Sequence, residues 1–159
     1  SMLNAVNAYG RQKVEAERII KRRANSIIIR PTVVLGVRPD PSIGRANPIE
    51  QMLAGQRKQV SDRFFSVSFA PDVAACIWAA ATAKNPHRII HAGTPFRTSR
   101  YKIACDLGLD VEPVSHDSFI GIAARPYDTT YRDGEYRSGY MDGLTACRAA
   151  WEAREAVAA

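Results

Sequence analysis

The chain has 159 residues, of which 46% are hydrophobic and 24% charged, and its formal net charge is +6. That is long enough for one domain with a real core and ordinary for a soluble globular protein. No apolar run approaches the roughly 18 residues of a membrane helix, and residues 1–4 lack a basic-then-apolar leader pattern. Ser1 ahead of Met2 reads as a cloning remnant, with Met2 as the intended start. Cys76, Cys105 and Cys147 are odd in number and far apart, which points to reduced, buried thiols in a cytoplasmic protein. His87, His91 and His116 form no metal signature. The positive charge would suit an anionic ligand, but the basic residues are scattered apart from Lys21-Arg22-Arg23. Cations there suit a helix C-terminus, so nucleic-acid binding is not expected.

In chain order, Asn7 is placed to cap a helix reaching about Ala24. Val6, Tyr9, Lys13, Val14, Ala16 and Ile20 sketch one face of it, and Arg11, Glu15, Arg18 and Arg22 the other. Ser26–Arg30 is a continuous apolar run that reads as a buried parallel strand, interrupted by Pro31 and carried on through Thr32–Gly36. Val37–Ala46 is a loop. Asn47-Pro48-Ile49-Glu50 has a cap residue, an early proline and a capping-box glutamate, and Gly55 ends the helix it starts. Gln56–Arg63 is polar and basic, and Phe64–Phe69 reads as one strand. Val73–Ala83 is almost wholly apolar, so this helix should be buried on most sides. Arg88–Ala92 is a short strand. Ser99 caps a helix to Leu107 with Gly108 as its stop, and Val111–Val114 is another short strand. Asp117 or Ser118 is placed to cap a brief helix, Arg125–Tyr140 has no clear period, and Met141–Ala156 is a final helix. Helix, short loop and buried strand in alternation specify an α/β fold in a single domain over residues 1–159.

The first helix carries Tyr9 and Lys13 four residues apart, on one face. An ammonium beside a phenol lowers the cost of forming phenolate, so the pair is suited to passing a proton. The plain alternative is a buried ring next to a solvated surface charge. The stretch Tyr9-Gly-Arg-Gln-Lys13-Val-Glu-Ala-Glu17 resembles the Tyr-x-x-x-Lys helix of extended short-chain dehydrogenases/reductases. Four further stretches resemble, in order, the family that reduces dTDP-4-dehydrorhamnose: Ile28–Gly36, Arg63–Ala74, Ile90–Gly93 with Ser99–Ala104, and Ala124-Arg125-Pro126.

The resemblance implies the last strands of a Rossmann-like sheet plus the small C-terminal substrate lobe. It implies Tyr9 as proton donor to a sugar carbonyl and Lys13 as its tuner. Tyr9, Lys13, Arg30 and Pro31 would lie along an NAD or NADP cofactor, and Thr32, Val33, Arg63 and Arg125 along a dTDP- or UDP-linked sugar. Val33 stands where many relatives carry asparagine or tryptophan, and Arg132 where they often carry aspartate. No Gly-x-x-Gly-x-x-Gly occurs, so the N-terminal dinucleotide-binding half of such an enzyme is not in this sequence. The expectation is therefore a portion of a nucleotide-sugar 4-keto reductase or epimerase, inactive alone, that self-associates or complements a nucleotide-binding half. The alternatives are a non-catalytic partner module, as in the regulatory β subunit of methionine adenosyltransferase, and a truncated remnant.

Overall fold

The computed structural model describes residues 5–84, 89–119, 126–134 and 138–158. Asn7 accepts a hydrogen bond from the Gly10 amide and starts α1 (Ala8–Lys21), three residues shorter at its C-terminus than its pattern implied. The chain then forms β1 (Ile28–Pro31) and β2 (Val33–Leu35) on either side of Thr32. After a loop come α2 (Pro48–Leu53), β3 (Lys58–Val60), β4 (Phe64–Phe65), β5 (Val67–Phe69) and α3 (Ala70–Thr82). β6 (Ile89–Ala92), α4 (Arg100–Asp106), β7 (Glu112–Val114), a 3₁₀ turn at His116–Ser118, β8 (Asp128–Thr129) and α5 (Tyr140–Ala158) follow. The fold is mixed α/β, and its strands pair in parallel: β1 with β6, β2 with β5, β3 with β7 and β4 with β8.

The β1–β6 pair has two unlike faces. Ile29 and Ile90 are register partners on the face that meets Val73, Cys76 and Ala80 of α3. Ile28, Arg30, Ile89 and His91 occupy the other face, on the side of α1. Past Thr32 the chain enters a second, larger core. There Leu35, Val67 and Phe69 meet Ile49 and Met52 of α2, Ile103 of α4 and its C-cap Leu107, and Leu144 of α5. Gly143 lets α5 approach closely, since a Cβ there would stand 2.2 Å from the Phe69 ring.

Several expectations need correction. α3 is not buried on most sides: Ile77 is 50% and Trp78 72% exposed, because α3 covers the sheet along one stripe only. The Phe64–Phe69 stretch is two strands, since β4 pairs with β8 while β5 pairs with β2. Lys58–Val60 is a strand that its polar composition did not reveal. The short helix near residue 117 is a 3₁₀ turn capped by Ser115, not by Asp117 or Ser118. All three cysteines are free, but Cys105 is exposed on the outer side of α4. His87 lies outside the described residues.

An ion triad locks the second core. Glu50, 1% exposed, completes the capping box of α2 and accepts from Arg38 at 2.8 Å and from Arg154 of α5 at 2.8 Å. Burial opposes its ionisation. The Asn47 and Arg38 amides and the two guanidiniums outweigh that and hold the carboxyl below its ordinary range. Glu50→Ala should therefore cost about 3 kcal/mol, because it strands two partly buried cations. Urea unfolding should show a lower midpoint at unchanged slope. In the parent chain this carboxylate stabilises the fold above the ordinary glutamate pKa, and its contribution disappears as pH falls through the lower folded value. The variant should show a correspondingly flatter acid limb.

Candidate active site

The site begins on a helix that buries none of its residues. Tyr9 is 67% exposed, which overturns the alternative of a buried ring. Lys13 lies one turn further on and its Nζ stands 5.4 Å from the centre of the Tyr9 ring. The two groups thus share one solvent-facing stripe, with the phenol and the ammonium accessible to a bound molecule. The next residue on that stripe, Glu17, turns inward. Its carboxylate accepts from Arg30 Nε at 2.7 Å and from a terminal nitrogen of the same guanidinium at 2.6 Å, and both side chains are largely buried. The fork lowers the Glu17 pKa and raises that of Arg30.

Arg30 is fixed from its other side as well. Tyr131 donates its hydroxyl proton to the Arg30 carbonyl at 3.0 Å, and its ring meets His91, the register partner of Arg30, edge to face at 4.7 Å. Burial, helped by Arg30, lowers the His91 pKa; among the described residues its buried Nδ1 has no hydrogen-bond partner. The segment carrying Tyr131 lies close across β6. A Cβ on Gly134 would stand 2.1 Å from the Gly93 carbonyl oxygen.

Pro31 ends β1 opposite Ala92. At Thr32 the strand changes partners. The Thr32 amide and hydroxyl both approach the Ser68 hydroxyl at 3.0 Å, and Ser68 donates to the Ala92 carbonyl. Ser68 has only one proton, so it accepts both bonds from Thr32. Gly93 sits against this crossing, where a Cβ would meet Ser68 Oγ at 3.0 Å and Thr32 Oγ1 at 3.2 Å. Val33 packs against the second core.

Arg63 belongs to a different cluster. Its guanidinium pairs with Asp117 at 2.8 Å and with Asp62 at 3.6 Å, and it stands 5.8 Å from the Tyr127 ring centre. Asp62 in turn holds the Ser115 hydroxyl and the His116 amide. These bonds keep the Asp62 carboxyl below its ordinary pKa. Arg63 Nε is buried and, among the described residues, has no hydrogen-bond partner. Arg125 lies outside the described residues. Tyr9, Lys13 and Arg30 are therefore joined through α1, with Pro31 and Thr32 continuing from Arg30, while Val33 is turned to packing and Arg63 is charge-paired elsewhere.

Sequence reasoning did not give roles to Glu17, Ser68, His91 or Tyr131. Glu17 had a readable signal, the third member of a four-residue period after Tyr9 and Lys13. Tyr131 had none, because it meets Arg30 only through a long return of the chain.

No protein-family model matches the sequence, and no curated protein matches it. Solved structures do. A dTDP-4-dehydrorhamnose reductase from Clostridium acetobutylicum is 22% identical at a TM-score of 0.80, over 96% of this chain and 58% of that one. The reductase from Yersinia enterocolitica is 26% identical at 0.69, over 92% and 57%. The reductase from Bacillus anthracis, in complex with NADP, is 18% identical at 0.74, over 92% and 56%. Related epimerase and dehydratase structures also match, and the matched region is the C-terminal part of such chains. The chain spans little more than half the length of these proteins.

An exposed phenol and an exposed ammonium without buried partners contribute little to folding. Tyr9→Phe and Lys13→Ala should each leave unfolding stability within about 0.5 kcal/mol of the parent chain, as measured by urea titration.

Proposed function

We propose, from a fold shared with the C-terminal part of dTDP-4-dehydrorhamnose reductases and related extended short-chain dehydrogenases/reductases, that this chain is the proton-donating and sugar-holding portion of a nucleotide-sugar 4-keto reductase. The observation that carries the reading is the exposed Tyr9 with Lys13 beside it on one helical stripe. A buried or divergent pair would have no use in carbonyl chemistry.

In this reading Tyr9 hydrogen-bonds the carbonyl oxygen of the sugar and gives it a proton as the carbon is reduced. The phenolate that remains is stabilised by the Lys13 ammonium and regains its proton from solvent. A nicotinamide cofactor, when bound, supplies the hydride. The donor set fits one end of such a cofactor: an exposed hydroxyl and ammonium suit ribose hydroxyls, and Pro31 at the end of β1 supplies a surface without an amide proton. The sequence offers no glycine-rich turn for the pyrophosphate end. NAD and NADP are both compatible with these groups. Arg63 would meet the diphosphate of a dTDP- or UDP-linked sugar by exchanging its exposed partner Asp117, and Arg125 would assist.

The reading also requires a complement. Among the described residues β1 pairs with β6 on one side only. Ile19 and Ile20 of α1, and Ile77 and Trp78 of α3, are exposed. An unpaired strand edge between two apolar faces favours pairing with another chain or segment. We take its occupant to be a dinucleotide-binding half, with self-association as the substitute when that half is missing. A non-catalytic partner module is the second reading.

Calorimetric titration discriminates these readings. The chain should bind a dTDP- or UDP-sugar and not NADPH; if neither binds, the partner module stands. Light scattering at micromolar concentration should give a mass above that of a monomer, and a compact monomer would count against the complementary edge. With a nucleotide-binding half supplied, Tyr9→Phe should lower kcat about 100-fold or more.

A further inference from the structure

Glu17 stands one helical turn from Lys13 on one side and one turn from Lys21 on the other. Opposite charges four residues apart on a helix are placed to pair. Lys21 does so, its Nζ 3.7 Å from Glu17 Oε2. Lys13 does not: among the described residues it forms no ion pair with Glu17, and its ammonium lies instead by the Tyr9 ring. The groups differ in what Glu17 has left to offer. Arg30, reaching from the far end of β1, takes Oε1 with Nε and Oε2 with a terminal nitrogen, at 2.7 and 2.6 Å. Arg30 thereby engages both oxygens, including the one that Lys21 does not touch.

We propose that Arg30 is a positioning residue that acts through Glu17: by occupying the carboxylate from the sheet side, it leaves Lys13 to Tyr9. A planar guanidinium suits the task because its rigid fork meets both oxygens with two parallel N–H bonds, a fixed geometry that a rotating ammonium lacks. The arrangement has a second consequence. Arg30 is held by Tyr131 through its carbonyl and by its register with His91, which Tyr131 also touches, so the return segment near residue 131 is tied to Arg30 and, through the Glu17 fork, to α1. This deepens the reading of Tyr9 and Lys13 as the proton-donating pair and rests on it for its catalytic meaning. The exchange of ion-pair partners is measurable without it.

The test is nuclear Overhauser spectroscopy on the isotopically labelled chain, reading the cross-peak between the Lys13 ε-methylene and the Tyr9 ring. Arg30→Gln should free Glu17 to capture Lys13, and the cross-peak should fall to less than half its parent intensity. Adding Glu17→Gln to that variant should restore it, although the double variant lacks the ion pair altogether. A merely structural role would predict the opposite, a double variant no better than the single one. If Arg30→Gln does not keep its fold, Arg30→Lys, which holds one oxygen at a time, should give an intermediate intensity. A cross-peak unchanged in the Arg30 variants, or not restored by Glu17→Gln, overturns the proposal. Failure of the complemented chain to reduce a keto sugar would overturn the reductase reading and leave the exchange of partners intact.

Discussion

The structure turns on the crossing at Thr32. Pro31 has no amide proton to donate, and the next amide donates to the Ser68 hydroxyl instead of to a neighbouring strand. One apolar stretch therefore serves two sheets, β1 beside β6 and β2 beside β5. The Ser68 hydroxyl closes the seam by donating to Ala92, and Gly93 makes room for it. β1, with β6 and α3, belongs to the layer that carries Tyr9 and Lys13. β2 and β5 belong to the core built with α2, α4 and α5.

The two layers are held in different ways. The second core is closed by apolar packing and by Glu50, a carboxylate with two guanidiniums and two amides around it. The first layer has far less to hold it. α1 buries no residue, and its link to the sheet is the Glu17–Arg30 fork. A helix tied mainly by one ion pair is oriented by that pair more than by packing, since apolar contacts are non-directional and a bidentate fork is not. This is why the same bond that anchors the helix also decides which neighbour Lys13 keeps.

The open faces follow from the same imbalance. Apolar side chains on α1 and α3 are spaced as if for burial, yet the described chain covers only one stripe of α3 and buries no residue of α1. Arg18 and Lys21 close α1 near its negative dipole end, where cations are favoured.

Much of the fold was legible in the sequence for local reasons. Asn7, Asn47 and Ser99 announce helix starts because each side chain satisfies an amide within three residues, and Gly55 and Gly108 announce ends because both adopt positive φ. The Tyr9–Lys13 stripe was legible for the same reason, the helical period being a property of adjacent residues. The pairing of Lys58–Val60 with Glu112–Val114 was not, because a short polar strand gains its ladder only from a partner more than fifty residues away. Nor was the exposure of Trp78, since composition records that a helix is apolar but not how much of it finds a cover. The sequence by itself thus determined which groups stand side by side on one element. Only the tertiary structure decided that Arg30 reaches Glu17, that Tyr131 returns to Arg30 and that Asp117 claims Arg63, because each of those contacts joins segments whose meeting is set by the packing of whole layers.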